Sequence, residues 1–287
     1  MMSYYDIEKK LCRLYNRIKK AFGGNMNVVD LLNLKGKNVV VTGGAGLYGS
    51  YIVEGLCEAG ATVYVASRDA KKNKEKLAYL IDAGYDLRFA KDFDLEDEKS
   101  IMDMCESVYA DAGRVDVLIN NAVLRCTSSY SDSAENLTRS LVANGTGLIV
   151  ISRAFGEKMR AAGRGSIINI GSYMGILGPD YSLYEGTDMN KDGVIPDYFF
   201  HKGGMTNYTR YLATHLGRYG IRCNCVELGG LIGGQPQLFI DNYSKKTPLG
   251  RMAEGDDVKG IIVYLASDAS AYLNGAIIPL DGGYSAM

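Results

Sequence analysis

No stretch of this chain approaches the roughly 18 apolar residues that a bilayer-spanning helix needs. Tryptophan is absent, and no lipidation signal replaces it as a membrane anchor. An excess of either charge is missing too: 32 lysines and arginines stand against 33 acidic residues, for a formal net charge of −1. With no basic block and no acidic tail, nothing in the composition points to a nucleic-acid partner. Linkers, internal repeats and low-complexity segments are all lacking. The first 20 residues mix apolar and charged side chains without an apolar core, so they do not read as a secretory signal. Six cysteines are scattered through apolar segments, as in a reduced, cytoplasmic protein. Cys223 and Cys225 form a C-x-C pair, but no second ligand pair lies near them, so no metal site is expected.

What is present is ordinary globular material, 47% hydrophobic and 23% charged over 287 residues. Residues 1–34 read as an N-terminal helical extension. Ile7, Leu11, Leu14 and Ile18 fall on one helical face, with lysines and arginines on the other, before Gly23-Gly24 ends the run. The stripe needs a cover: the chain's own domain, a partner subunit, or a membrane surface.

From residue 35 to 287 the pattern alternates. Strands are expected at Asn38–Val41, Ala61–Ala66, Leu87–Ala90, Val115–Asn120, Ser166–Ile170, Ile221–Val226 and Ala276–Leu280. Helices are expected between them near Ser50–Ala59, Ala70–Leu80, Glu96–Ala110, Glu135–Ala161 and Tyr198–Tyr219. Such alternation predicts a single α/β domain, a Rossmann-type doubly wound parallel sheet of about seven strands.

The first strand runs into Thr42-Gly43-Gly44-Ala45-Gly46-Leu47-Tyr48-Gly49 and then a helix. Three glycines at this spacing allow a sharp turn, close approach of a pyrophosphate and tight helix–strand packing. Amides at the helix start then face the phosphates. An empty strand–helix turn is the plainer alternative. At the tip of the second strand stands Ser67-Arg68-Asp69. Arg68 could accommodate a 2′-phosphate, whereas Asp69 could still reach a ribose hydroxyl. The missing acid at the usual place leans toward NADP, but NAD stays open, as does a merely solvated Arg68. Asp94, followed by Leu95, could accept a hydrogen bond from adenine or cap a helix.

Tyr198 and Lys202 stand at i and i+4, on one helical face. A free phenol titrates near about 10, and a neighbouring ammonium favours its ionised form. Ser172 follows the fifth strand, at the edge where open α/β sheets bind ligands. Asn144, inside the long helix, could hold a water or a backbone carbonyl.

Taken in order, Thr42 to Gly49, Asn120-Asn121-Ala122, Asn144, Ser172, Tyr198-x-x-x-Lys202 and Asp281-Gly282-Gly283 resemble the short-chain dehydrogenase/reductase family. That resemblance implies NAD(P)(H)-dependent interconversion of a secondary alcohol and a ketone. It implies Tyr198 as general acid/base, Ser172 as the group polarising the substrate oxygen, and Lys202 as support for Tyr198 and ligand of the nicotinamide ribose. It also implies a proton-relay role for Asn144, and Asn120, Asn121 and Ala122 along the cofactor. The family commonly forms homotetramers, so a homotetramer or homodimer is expected.

Several positions depart from the family pattern. Val123 replaces a usual glycine, and Leu228-Gly229 replaces a usual Pro-Gly. Ser172 and Tyr198 stand 26 positions apart, about twice the usual separation, so Gly178–Asp197 reads as an insertion beside the site. Tyr181 and Tyr184 lack a lysine four residues on and are poor substitutes for Tyr198. His201 is expected to pack or face away.

Arg125, Met174, Tyr181, Tyr184 and the stretch 235–243 are candidate pocket residues. The N-terminal extension resembles that of bacterial 20β-hydroxysteroid dehydrogenases, which reduce cortisol-like ketones and are expected to use NADH; because that extension is the rarer feature, a steroid ketone is the first expectation for the substrate and a sugar or sugar acid the alternative. The insertion resembles that of sugar or sugar-acid dehydrogenases, and charge in the pocket, above all a free Arg125, would favour that reading. A non-catalytic dinucleotide-binding protein on the same fold is the alternative of another class.

Overall fold

The computed structural model describes residues 27–287. The helix expected on Ile7, Leu11, Leu14 and Ile18 lies outside the described residues. Within them a short helix α1 (Val28–Leu32), capped by the Asn27 side chain, leads to Leu34. Leu34 is wholly buried in the main core, and its N–H donates to the Ala59 carbonyl at 2.9 Å. The end of the segment expected as an extension is therefore built into the domain.

β1 (Asn38–Thr42) is followed by α2 (Leu47–Glu58), β2 (Thr62–Ala66), α3 (Ala70–Lys76), α4 (Ala78–Asp82) and β3 (Leu87–Phe89). Next come α5 (Glu98–Ala112), β4 (Val117–Asn120), α6 (Ala134–Leu141), α7 (Leu148–Ala162) and β5 (Gly165–Ile170). The chain ends with α8 (Pro196–Gly217), β6 (Ile221–Leu228), α9 (Gln237–Lys246), α10 (Lys259–Ala266) and β7 (Ile277–Leu280). The strands form one parallel sheet of 7 in the order β3-β2-β1-β4-β5-β6-β7. Strand order reverses between β1 and β4, and the crevice above that switch point is where such sheets bind ligands.

Alternate side chains of β1 explain the two layers. Val39 and Val41 join Ile52, Leu56, Ile262 and Leu265 from α2 and α10 on one face. Val40 joins Ile101, Met104, Ile151, Phe155 and Leu212 from α5, α7 and α8 on the other. Burying each such aliphatic or aromatic side chain contributes roughly 1.5–3 kcal/mol, so the sheet is held from both sides.

Three helices differ from expectation in ways that shape the site. The helix expected over Ala70–Leu80 breaks at Leu77 into α3 and α4. The long helix expected over Glu135–Ala161 is interrupted by a π-helical stretch, Val142–Gly147, which contains Asn144. The helix carrying Tyr198 begins earlier, at Pro196, whose fixed φ and missing N–H suit the first helical turn. β6 also runs two residues beyond the expected Val226, bringing Glu227 into the sheet.

Candidate active site

Loops after β1, β4, β5 and β6 open onto one cleft of about 870 Å³. At its β1 end, Thr42 Oγ1 accepts the amides of Asn121 and Ala122, each at 3.0 Å. The Asn121 side chain returns two hydrogen bonds, to the carbonyls of Thr42 at 3.0 Å and Gly43 at 2.9 Å. These bonds hold the two loops so close that a Cβ on Gly43 would lie 3.0 Å from the Ala122 Cα. Gly43 also has φ +64°, a left-handed conformation that favours glycine. A Cβ on Gly49 would collide with the Gly43 carbonyl oxygen. The result is a bare backbone cradle in front of the first turn of α2, whose leading amides have no earlier carbonyl to bond. A dinucleotide pyrophosphate fits such a cradle.

Gly43, Gly46, Leu47, Tyr48, Ser67, Arg68, Asp94, Leu95, Asn121 and Ala122 all line the cleft. Thr42 and Gly49 shape it from behind. Asp69 does not line it: Asp69 Oδ1 accepts the Lys72 amide at 2.9 Å and caps α3. Instead Lys72 and Lys76 join Arg68 along this end, at spacings of four residues. Asp94 Oδ1 accepts the Glu96 amide at 3.0 Å, and the cap of α5 is Asp97.

At the other end β5 delivers Ser172 and α8 delivers Tyr198 and Lys202 to the same cleft. Lys202 is buried, and its Nζ donates to the Ile170 carbonyl at 2.6 Å. Two cations flank the Tyr198 ring, Lys202 Nζ and Arg125 Cζ, each 5.7 Å from the ring centroid. Arg125 is exposed and makes no ion pair among the described residues. Asn144 is not in this cleft. It lines an adjoining cavity of about 10 Å³, room for one water, together with Lys202, His201, Thr42 and Asn120. Its amide is fully engaged: Oδ1 accepts the Leu124 N–H and Nδ2 donates to the Leu124 carbonyl, both at 2.8 Å.

His201 packs edge-on against Tyr198, with ring centroids 5.2 Å apart. Burial, reinforced by the Lys202 charge, pushes its imidazole down to about 4. Of the insertion, Tyr184, Met189, Asn190, Val194 and Ile195 reach the cleft, while Tyr181 is exposed outside it. Cys223 and Cys225 are buried in β6, where desolvation pushes both thiols up. Among the described residues no cluster of histidine, cysteine and acidic groups could hold a metal, and no helix is long and apolar enough to cross a membrane.

The family model described as enoyl-(acyl carrier protein) reductase matches residues 48–285. The chain belongs to the short-chain dehydrogenase/reductase family. Gluconate 5-dehydrogenase of Gluconobacter oxydans is 28% identical over 265 residues, covering 90% of this chain and 98% of that protein. A 7alpha-hydroxysteroid dehydrogenase of Clostridium sardiniense is 30% identical over 270 residues, covering 88% and 94%. Among solved structures, a gluconate 5-dehydrogenase from Burkholderia cenocepacia in complex with NADP and tartrate superposes with a TM-score of 0.80. It is 26% identical and covers 91% of this chain and 100% of that one.

Two buried carboxylates of this short-chain dehydrogenase/reductase escaped sequence reading. Glu227 lies under Ser172, and Asp197 lies directly before Tyr198 at the start of α8. Glu227 carried a signal, an acidic residue directly after the apolar run Cys225-Val226 near the end of β6. Asp197 carried none, because an acidic residue in a first helical turn is common. Lys72 and Lys76 were visible as a lysine-rich helix, yet only their fourfold spacing from Arg68 marks them as one row.

Proposed function

We propose that this enzyme is an NADP(H)-dependent dehydrogenase that interconverts a hydroxyl and a ketone on a small polyhydroxylated acid. The observation that carries the substrate reading is Arg125, an exposed guanidinium without an ionic partner among the described residues, set beside Tyr198 in the cleft. A guanidinium there suits a substrate carboxylate, which it can bind with two parallel hydrogen bonds. The similarity to gluconate 5-dehydrogenases points the same way. For the cofactor, Arg68, Lys72 and Lys76 offer a row of positive charge to a 2′-phosphate, and Asp69, the acid that could have claimed the ribose hydroxyl, is spent on a helix cap.

In this reading a bound nicotinamide supplies or accepts the hydride. Tyr198 Oη takes the hydroxyl proton during oxidation and returns it during reduction. Ser172 Oγ donates a hydrogen bond to the substrate oxygen, and Lys202 places positive charge beside Tyr198 while its proton moves. Lys202 also holds the cofactor ribose. Asn144 holds the water-sized cavity open behind Lys202, as one station of a proton relay. Residues 35–287 act as the catalytic domain, and the exposed apolar groups Ile149, Phe200 and Tyr211 on α7 and α8 suit a dimer or tetramer.

A steroid ketone is the second reading, favoured by the similarity to a 7alpha-hydroxysteroid dehydrogenase. Its other support is the N-terminal extension, whose expected helix falls outside the described residues. Steady-state rates with NADP+ and NAD+ against gluconate-type acids, and with the reduced cofactors against a cortisol-type ketone, separate the two. Turnover of a sugar acid with NADP+ and none of the steroid supports the proposal. The reverse pattern overturns it.

A further inference from the structure

We propose that Asp197 is a positioning residue that governs two functions of the site through two separate arms. Its carboxylate is buried, and each oxygen is taken by a different hydroxyl. Ser140 Oγ donates to Oδ2 at 2.5 Å, and Thr127 Oγ1 donates to Oδ1 at 2.8 Å.

The first arm reaches the π-helical stretch. Ser140 has a single hydroxyl proton, and Asp197 accepts it. This leaves the Ser140 oxygen free to accept Asn144 Nδ2 at 3.1 Å. Asn144 is thereby fixed from two sides, by Leu124 and by Ser140. A π-helical insertion turns the residues it contains away from the register of the flanking α-helix, and such insertions concentrate at functional sites. Ser140, four residues before Asn144, ties the displaced amide to the helix that carries Tyr198.

The second arm reaches the loop after β4. Leu124 is bound to Asn144, and Thr127 is bound to Asp197. Arg125 stands between these two tethers, with its guanidinium carbon 5.7 Å from the Tyr198 ring centroid. A long side chain held at its base on both sides keeps its charged end over the ring with less conformational freedom to lose. Asp197 is the residue before Tyr198, so the loop, the π-helical stretch and the tyrosine share one anchor. This second arm rests on the reading of Arg125 as the group that meets the substrate carboxylate.

The two arms should separate in steady-state kinetics of the full-length protein with NADP+ and a sugar acid. Ser140→Ala lowers kcat by about tenfold and leaves KM for the acid unchanged, because Asn144 loses only its Ser140 bond while the Leu124 and Thr127 tethers on either side of Arg125 stay in place. Thr127→Val raises KM by about tenfold and leaves kcat unchanged. Asp197→Ala shows both changes, Asp197→Asn recovers part of each, and NADPH binding followed by fluorescence is unaltered in all. Single variants that shift the same parameter together, or neither parameter, overturn the proposal. Should Asp197→Ala fail to fold, the two single variants decide. Arg125→Ala separates the levels. If it leaves KM unchanged, the substrate reading fails, and kcat of Ser140→Ala alone judges the remaining arm. If it raises KM while Thr127→Val does not, the second arm fails.

Discussion

The backbone N–H of Ser172 donates to Glu227 Oε2 at 2.5 Å, and that carboxylate has no exposed surface. Its other oxygen accepts the Thr206 hydroxyl at 2.6 Å, one helical turn beyond Lys202. A Cβ on Gly171 would occupy the place of Oε2, so glycine at 171 makes room for the carboxylate. One side chain thus sets the distance between the strand that carries Ser172 and the helix that carries Tyr198 and Lys202. Glu227→Ala strands the buried Ser172 N–H, while the Thr206 hydroxyl can turn to the Lys202 carbonyl at 3.0 Å, and it should lower stability by about 1–3 kcal/mol, with a further cost for the cavity. Glu227→Gln keeps one acceptor and should lose less. Urea unfolding of the three proteins checks this, and equal losses for Ala and Gln would contradict it.

Removing only the Tyr198 hydroxyl isolates the proton transfer. Tyr198→Phe preserves the edge-on packing against His201. Turnover should fall by about 10²–10⁴-fold, the usual contribution of general acid–base catalysis, with NADPH affinity unchanged. Activity within a few-fold of wild type would remove Tyr198 from the mechanism.

Cofactor choice rests on the row of cations beside Ser67. Arg68→Ala should weaken NADPH by about 1.5–3 kcal/mol while NADH changes little, because only the former brings a 2′-phosphate. Lys72→Ala and Lys76→Ala should act in the same direction and more weakly. Equal effects on both cofactors, measured by fluorescence titration, would reduce the row to solvated surface charge.

His201 gives stability a defined pH dependence. Its imidazole is held down to about 4 in the native protein, against 6.5 for the ordinary group. Between these values the unfolded chain binds a proton that the native protein does not, so stability falls as pH drops from 6.5 toward 4. The full contribution is about 3 kcal/mol, and it is all present above the ordinary value. His201→Gln should flatten the fall in melting temperature between neutral pH and the acid end of this window. An unchanged slope would assign the acid sensitivity to other groups.

The parallel sheet was legible because its chemistry is local. Val39 to Val41 form an apolar run buried on both faces, and the glycines at 43, 46 and 49 answer to a backbone constraint at each position. Tyr198 and Lys202 meet because i and i+4 share a helical face. The π-helical stretch at Val142–Gly147 was not legible, since a shift in hydrogen-bond register leaves the apolar periodicity of the surrounding helix intact. Nor was the engagement of Asp69 as a cap, because the same residue at the same position suits a ribose hydroxyl equally well. Glu227 and Asp197 depend on hydroxyls and amides 21 to 70 residues away, which only the fold brings together.

The most direct measurement compares kcat/KM for a sugar acid and for its neutral polyol counterpart, with NADP+, in wild type and Arg125→Ala. A charge-assisted pair with the carboxylate is worth about 1.5–3 kcal/mol. Wild type should therefore prefer the acid by about tenfold to a hundredfold, and the variant should lose that preference while its rate with the polyol stays level. A preference that survives in Arg125→Ala, or a wild type that favours the neutral polyol, would contradict an anionic sugar derivative as the substrate.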